Sequence, residues 1–499
     1  MRISLRFALS SRLSVFVLIV GILHPALEAR AHEDATHETS AAPAVEAATS
    51  AAAPAATEAT PPAAPAATPA VAAAPAESAA APDASKPSED STVEVSLGTK
   101  GFRAQTKDGR FKFRLGGRLH VDGTYHLGDT PGDLPPDPPD RPESQSLDPT
   151  DGAEIRRARL AAWATVYQDW NWVGEVDFAD NETTVKDFFV SYTGFENTTI
   201  AVGNQKQPYS LSIEMSSNDI PFVERSIDNG QNEGYVDRAI GVRVDTNGDH
   251  WFVAAGVYGD GADPQKVAGD EGWGLAARAI FAPIIEEREV LHLGFRTAFR
   301  RPKQEDKTFR IRDETTHMSN YRVVDTGTQG DADSAVLYGP EAAIAVGPLW
   351  VFGEYSRANI RRNGFDTATF ESGHIAAAWM LTGESRATTY AIKSGEFKGI
   401  NPFHDFSLKK GGAGAWELAV RYAYANLNAG GATNPGAILG GKEHTLSTAL
   451  NWYVNPNVRM MLNWNHIIET DVSDQSPIAA SNQEAQGMDI FTLRAQFNF

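Results

Sequence analysis

Basic side chains recur on the polar faces of alternating segments of this chain. They are Lys112, Arg114, Arg118, Arg157, Arg159, Arg243, Arg278, Arg296, Arg300 and Arg421. A guanidinium keeps its charge and holds phosphate or carboxylate oxygens in a two-pronged hydrogen-bonded fork, so such a series predicts a path for anions. Acidic residues fall on the same faces, at Glu175, Asp177, Asp245 and Glu417. A second interpretation is therefore that the basic and acidic side chains form ion pairs that stabilise the surface on which they lie.

Other kinds of chemistry find little support in the residues present. The 499 residues include no Cys, which excludes disulfides, thiolate metal sites and Cys nucleophiles. The 12 His form no His-x-x-x-His or His-Glu-x-x-His pair, and no Gly-x-Ser-x-Gly or Gly-rich phosphate loop precedes a helix. We therefore expect no catalytic residue, metal site or cofactor, and no enzymatic activity. The 44 Lys and Arg against 64 Asp and Glu argue against nucleic acid as a partner.

The segments that carry the basic residues alternate with a period of two. From Phe111 to Leu127 every second residue is apolar or Gly, and the residues between them are polar apart from one Gly. A strand separates these two sets onto opposite faces, whereas a helix would scatter them. The same pattern predicts strands at 239–245, 251–258, 275–281, 290–300, 374–381, 416–424 and 444–454.

Two architectures account for many alternating strands, a soluble sandwich and a transmembrane barrel. Strand lengths of about 9–11 residues or more favour the barrel, because a tilted strand needs that length to cross a bilayer. Connections of very unequal length, such as 455–457 and 128–152, match short turns at one rim and long loops at the other. Residues 491–499 alternate and end on Phe499, as terminal barrel strands do, and we expect this strand to close the barrel against the first one.

The N-terminal residues have a different composition. Arg2, Arg6 and Arg12 precede an apolar stretch and the small residues around Arg30, which predicts a signal peptide over residues 1–31. Residues 32–90 are rich in Ala and Pro and predict a disordered periplasmic linker. The barrel is expected over residues 91–499. A polytopic helical membrane protein is excluded, because several apolar runs of about 20 residues would be needed.

Several stretches, in order along the chain, resemble the phosphate-selective porin O and P family. They are Phe111–Leu119, Arg156–Ala158, Asp187–Phe195, Val223–Ser226, Leu381–Glu384, Gly414–Leu418 and Asn451–Tyr453. The resemblance implies a 16-stranded barrel, a homotrimer, and a third loop folded into the lumen. It also implies an integral protein of the Gram-negative outer membrane, whose partners are outer-membrane lipid, the barrel assembly machinery and small anions such as phosphate.

The resemblance also implies site residues. The family's inward arginines are matched at Arg118, Arg156 and Arg157, although parity directs only Arg157 of that last pair toward the lumen, and the loop arginine is matched at Arg225. Strongly phosphate-selective members carry a Lys earlier in this loop, whereas residues 210–215 include no cation and one acid. The expected function is passive diffusion of small anions, with phosphate as a candidate, through an Arg-lined lumen. A general non-selective porin and a structural barrel without transport stay open as alternatives.

Overall fold

A computed structural model describes residues 93–127, 151–229, 235–262, 270–303, 307–313, 315–318, 322–431, 433–471, 476 and 485–499. The expected signal peptide over residues 1–31, the whole of the expected linker over residues 32–90, and most of the long 128–152 connection lie outside these residues. One antiparallel sheet of eighteen strands contains nearly all the strand residues described.

Sixteen of these strands form a closed barrel. Their bounds are β3 Lys112–Leu127, β4 Gly152–Val166, β5 Trp170–Asp177, β6 Thr184–Phe195, β7 Thr198–Lys206, β8 Arg238–Asn247, β9 Trp251–Tyr258, β10 Trp273–Glu286, β11 Glu289–Arg301, β14 Ala332–Val346, β15 Leu349–Arg362, β16 Ala368–Met380, β19 Ala415–Ala429, β20 Ile438–Asn455, β21 Val458–Asp471 and β22 Asp489–Asn498. The last strand pairs with the first, from Asp489 opposite Leu127 to Asn498 opposite Arg118. The predicted all-β barrel, its strand number and its closure are confirmed.

Alternation sorts the side chains of the barrel strands between two environments. On β3 the apolar Leu119, Val121 and Tyr125 point outward and are exposed, while His120 and Asp122 point inward and are buried. An outward apolar face suits lipid and an inward polar face suits a solvated interior. Closure pairs each of the sixteen barrel strands that the structure describes on both sides, so none of them presents an open edge to the hydrocarbon region.

A hairpin precedes the barrel and extends one of its seams. Its strands are β1 Val93–Gly98 and β2 Gly101–Thr106. Strand β2 pairs with the start of β3, from Phe102 opposite Leu115 to Gln105 opposite Lys112, directly below the place where β22 ends. Strand β2 therefore lies beside β3 on the same side as β22, beyond the last residue of β22, and β1 lies next to β2.

The two rims of the barrel differ, as the sequence predicts. Residues 167–169, 248–250 and 456–457 are typical of the tight turns at one end, here called the short-turn rim. The opposite end carries the longer connections, including residues 302–331 with the small strands β12 Arg312–Asp313 and β13 Val324–Asp325. Residues 207–237, here called L3, form the third connection at this end, and the residues of L3 that the structure describes, 207–229 and 235–237, fold into the lumen, as expected.

One connection breaks this rule. Residues 381–414 join β16 to β19 at the short-turn rim and contain a 3-10 turn at Arg386–Thr389 with strands β17 Tyr390–Ala391 and β18 Glu396–Phe397. The alternation pattern of the sequence does not predict this long connection at the short-turn rim. Within the described part of the chain, no helix has both the length and the apolar character that crossing a membrane requires.

Candidate functional site

The first part of L3 is a single helical turn fixed to the barrel wall through its backbone. Helix α1 spans Leu211–Glu214, and the Ser210 side chain accepts a hydrogen bond from Ile213 N, as an N-cap does. The backbone amides of the first two residues of α1 donate to carboxylates of the barrel wall, Leu211 N to Glu341 at 3.0 Å and Ser212 N to Glu354 at 2.7 Å. Amides at a helix start have no partner within the helix, so these acids both satisfy them and fix the position of α1.

The later part of L3 is held by side chains of the last four strands. Arg421 donates to the carbonyl of Glu224 at 3.1 Å, and Arg459 donates to that of Ile220 at 2.8 Å. Asn451 and Arg494 do the same for Pro221 and Val223. Consecutive strands β19 to β22 thus each supply a donor to the L3 backbone. Because buried carbonyls need partners, these contacts allow an irregular segment to lie inside the barrel.

Three arginines meet on the side chain of Glu224. Arg156 lies 2.9 Å from it, Arg157 3.0 Å and Arg494 2.8 Å, and Arg494 also pairs with Asp122 at 2.6 Å. Burial raises the pKa of the Glu224 carboxyl, but the three guanidiniums outweigh burial and hold its pKa well below the ordinary value. Glu224 therefore stays ionised and ties L3 to the seam between β22, β3 and β4.

A β-bulge explains why both Arg156 and Arg157 reach Glu224. The pairing of β3 with β4 jumps from His120–Arg157 to Val121–Ile155, so Arg156 is the extra residue. A bulge breaks the strict alternation of a strand and redirects side chains. Parity counted along the sequence directs only Arg157 inward, and the structure differs for this local reason.

Other predicted wall arginines are buried in ion pairs. Arg296 approaches Glu341 at 3.6 Å and Glu354 at 3.4 Å, and Arg278 bonds Glu341 at 2.6 Å. The side chains of all four residues are fully buried. Since the same two acids hold α1, these arginines form part of the structure that supports L3.

A second group of cations keeps partial exposure. It comprises Arg118, Arg159, Lys186, Lys206, Arg225 and Arg238, here called the constriction cluster, and it lies where L3 faces strands β3 to β8. Four carboxylates pair with its arginines, at Glu175, Asp177, Asp187 and Asp237. On L3, Asp219 lies near Arg118 and Glu214 lies near Lys206. The cluster is therefore a network of both signs, in which positive charge converges where Arg225 and Lys206 bind the L3 backbone.

Shared partners join the members of the constriction cluster to one another. Glu175 binds Arg118 at 2.8 Å and Arg159 at 3.0 Å. Arg118 also donates to the hydroxyls of Ser216 and Ser217 on L3, at 3.1 and 3.3 Å. Arg118 thus links the wall directly to L3. Lys206 and Arg238 are opposite one another on β7 and β8, and Arg238 forms a bidentate pair with Asp187.

Arg225 lies on the same side of L3. It donates to the carbonyl of Ser212 at 2.7 Å and to that of Met215 at 3.1 Å. Lys206 donates to the carbonyls of Glu214 at 3.0 Å and Met215 at 3.3 Å. These carbonyls end α1, where the backbone is partly negative and attracts cations. Two positive charges are thereby concentrated at one point of L3.

The long connection at the short-turn rim reaches L3 from the other end of the lumen. Arg386 is buried, binds Glu417 at 2.9 Å and donates to the carbonyl of Asp219 at 2.6 Å. Burial raises the pKa of the Asp219 carboxyl to about 6, against the opposing charge of Arg386. Asp219 is therefore an L3 group that changes its charge near neutral pH.

The remaining predicted residues lie toward the rims. Lys112 is exposed at the short-turn rim, and the Arg114 guanidinium stacks on Trp163 with 3.3 Å to the ring centre. Arg300 pairs with Asp260 near the opposite rim. These three residues do not join the constriction cluster.

Sequence reasoning missed several residues that shape this site. Lys186 and Arg238 belong to the constriction cluster, and Arg386, Arg459 and Arg494 anchor loops. Parity could have found Arg494 and Arg459, since both alternate with outward apolar residues on their strands. Lys186 falls at an irregularity between β5 and β6, where counting by twos fails.

Three side chains at the long-loop rim could hold a divalent cation. Glu154, Asp180 and His317 place two carboxylate oxygens and a ring nitrogen within 4.8 Å of one another. His317 Nδ1 already lies 2.8 Å from Glu154, so this pair is also satisfied as a hydrogen bond. No sequence motif predicts a metal site here, because the three residues are far apart along the chain.

Comparisons with known proteins give a consistent result. A family model described as "Phosphate-selective porin O and P" matches residues 138–499. The chain is 26% identical over 407 residues to Porin O of Pseudomonas aeruginosa, covering 74% of this chain and 86% of the relative. It is 30% identical over 326 residues to an uncharacterized protein of Caulobacter vibrioides, covering 63% and 62%. The solved anion-selective porin from Comamonas acidovorans aligns with 78% of this chain and all of its own at 10% identity, with a TM-score of 0.46.

Proposed function

The chain belongs to the phosphate-selective porin O and P family, and from this premise we propose that it lets small anions diffuse across the outer membrane. It is an outer-membrane porin barrel, and the proposal concerns what passes through it. Anion preference would be set where L3 faces strands β3 to β8. The positive charge that Arg225 and Lys206 place on L3, inside the constriction cluster, carries the proposal.

The mechanism follows from charge in a narrow, partly solvated space. Water screens charges less completely in a constriction than in bulk, so a local concentration of positive charge such as that at Arg225 and Lys206 lowers the free energy of an anion there and raises that of a cation. Conduction also requires that the anion leave. Because Arg118, Arg159 and Arg238 already hold carboxylates, an incoming anion exchanges with existing contacts and is bound weakly.

Phosphate is proposed as one of the transported anions rather than as a tightly bound substrate. Residues 210–215, where strongly selective members carry a Lys, contain one acid and no cation. That acid, Glu214, pairs with Arg243 at 3.0 Å. Lys206 supplies charge to the same turn from the wall. We therefore expect a broad preference for small anions with only weak affinity for phosphate.

The surroundings of the channel are also part of the proposal. We expect a homotrimer in a Gram-negative outer membrane, assembled by the barrel assembly machinery that recognises a terminal aromatic strand. The outward apolar faces of the strands support the lipid contact.

A non-selective porin is the second candidate, because so many lumen arginines are paired with acids. Purified protein in planar bilayers under a KCl gradient separates the possibilities. Steady conductance with a reversal potential shifted toward the equilibrium potential of chloride supports an anion channel. A reversal potential near zero would favour the non-selective porin, and insertion without conductance would favour a structural barrel.

A further inference from the structure

The second half of the long short-turn connection lies outside the barrel. Phe406 N donates to the carbonyl of Val454 at 2.7 Å, and the Phe406 ring packs edge-on against Trp452 with 5.0 Å between centres. Trp452 stacks on Trp416, and both indoles donate to the carbonyl of Ala413. Residues 403–412, here called the flap, are therefore fixed to the outer face of the wall.

The flap is attached within a band of outward aromatic residues at the short-turn rim. This band includes Tyr167, Trp170, Phe195, Trp251, Trp379, Trp416, Trp452 and Phe497. Such bands lie at the boundary between hydrocarbon and headgroups, and the short turns of outer-membrane barrels face the periplasm. The flap thus lies at the level of the periplasmic headgroups.

The tip of the flap combines strong apolar exposure with positive charge. Leu408 is 90% exposed and Phe403 60% exposed. A bridge between Ser407 and Gly412 closes the tip, and Gly411 supplies the left-handed backbone that the turn requires, with φ of 74°. Lys409 and Lys410 are both exposed, and neither is paired with a carboxylate in the described part of the chain.

We propose that the flap is a lipid-binding anchor for the periplasmic leaflet. Phe403, Phe406 and Leu408 enter the headgroup boundary, and Lys409 and Lys410 bind the phosphates of anionic phospholipid. Exposure of Leu and Phe side chains to water is unfavourable, and each lysine near an anionic surface strengthens binding to it about fivefold. Continuity with the aromatic band favours lipid over a protein partner as the occupant. This proposal is independent of which ions the channel carries.

The absence of Cys allows a direct test with one label per chain. The full chain carrying Leu408→Cys is labelled with an environment-sensitive fluorophore and reconstituted in two kinds of vesicle. One mixes phosphatidylcholine with brominated phosphatidylglycerol, and the other mixes brominated phosphatidylcholine with phosphatidylglycerol. We expect quenching by brominated lipid, with about a 30-fold preference for phosphatidylglycerol, because each of the two lysines is expected to favour the anionic lipid about fivefold. Asp249→Cys, in a short turn away from the flap, serves as the matched label position.

The lysine pair is tested in the same protein. Lys409→Gln with Lys410→Gln should reduce the preference for phosphatidylglycerol to about one and leave quenching by both lipids in place, whereas Lys112→Gln at the same rim should change neither. A Leu408 label that stays water-exposed in both mixtures would overturn the proposal. So would crosslinking of Leu408→Cys to a second copy or to another protein, which would identify a protein as the occupant.

Discussion

Arg225 and Lys206 donate hydrogen bonds to the same backbone oxygen, the carbonyl of Met215, at 3.1 and 3.3 Å. One cation comes from L3 and the other from barrel strand β7, and they converge at the end of α1. Two like charges this close repel each other, and the carbonyls at the end of the helical turn offset part of that repulsion. We propose that the pair marks the place where an anion gains most from entering the lumen.

Removing either charge of this pair should weaken anion preference. Arg225→Gln and Lys206→Gln keep hydrogen-bond donors for the Met215 carbonyl while removing the charge. The ratio of chloride to potassium permeability should fall by about fivefold for each, since a unit charge at about 4 Å is worth about 1 kcal/mol even in water. Reversal potentials under a KCl gradient measure this ratio.

Lys112→Gln is the matched control for these changes, because Lys112 is exposed at the rim and outside the constriction cluster. Arg225→Glu should move the reversal potential further toward cations. Unchanged reversal potentials in both Gln variants would show that ions are selected elsewhere in the lumen.

Glu224→Gln should loosen L3. The change leaves Arg156, Arg157 and Arg494 without the carboxylate on which they converge, and breaking a buried ion pair typically costs about 3–5 kcal/mol. We expect noisier open-channel current and faster tryptic cleavage after Arg225. Glu371→Gln, which breaks an exposed pair with Arg357, should change neither.

Acid should imitate this substitution. The pKa of Glu224 is lower in the folded protein than its ordinary value, so its contribution is fully present above about pH 4.5 and is lost as the pH falls toward the folded-state pKa. Open-channel noise in the unchanged protein should therefore rise below pH 4.5. Equal sensitivity to acid in the Gln variant would show that another group is responsible.

Anion preference should increase as the pH falls through 6. The pKa of Asp219 is raised to about 6, so the carboxyl is neutral below that pH and negative above it. The groups that face it are Arg118, Arg386, Arg459 and Glu396, and neutral Asp219 leaves their positive charge less compensated. Permeability ratios between pH 7.5 and 5 measure the effect, and Asp219→Asn should remove it. A titration that persists in Asp219→Asn would place it on another residue.

Phosphate should block chloride current only at about millimolar concentration, the weak range expected when one charged contact of a site is missing. Ser212→Lys restores a cation to α1, where the side chain is partly exposed and the backbone is held by Glu354. One added charge-assisted hydrogen bond should strengthen the block at least about tenfold. Ser96→Lys, outside the lumen, is the control. Strong block in the unchanged protein would instead mean that Lys206 already supplies the missing contact.

The barrel could be predicted from sequence because each strand repeats the same physical constraint. Outward lipid and inward water impose a period of two, and Phe113, Leu115 and Leu119 on β3 obey it without reference to any other strand. Closure of the barrel could also be predicted, because the last alternating segment, residues 491–499, needs a neighbouring strand for its backbone hydrogen bonds. The long connection at 381–414 could not be predicted in this way, since the burial of its first half, around Arg386, depends on contacts with L3 and with the wall that no local pattern reveals.

The candidate site could be predicted only in part, for the same reason. Parity places Arg157, Arg296 and Arg421 inward, and they are inward, but it gives no information on whether an inward arginine faces water or supports a loop. That outcome depends on where L3 runs, which is decided by long-range bonds such as Arg421 to the Glu224 carbonyl. A bulge moved Arg156 for a reason that lies in the pairing of two strands.

The hairpin of β1 and β2 has a consequence for how the barrel closes. Because β2 occupies the lower edge of β3 up to Leu115, the final strand can pair with β3 only above that position. A slip of β22 by two residues toward the rim would keep the same faces in and out, so lipid alone would not oppose it. The hairpin acts as a stop that blocks this slip. Deleting residues 93–106 should therefore yield barrels with mixed registers, visible as more than one folded band before boiling.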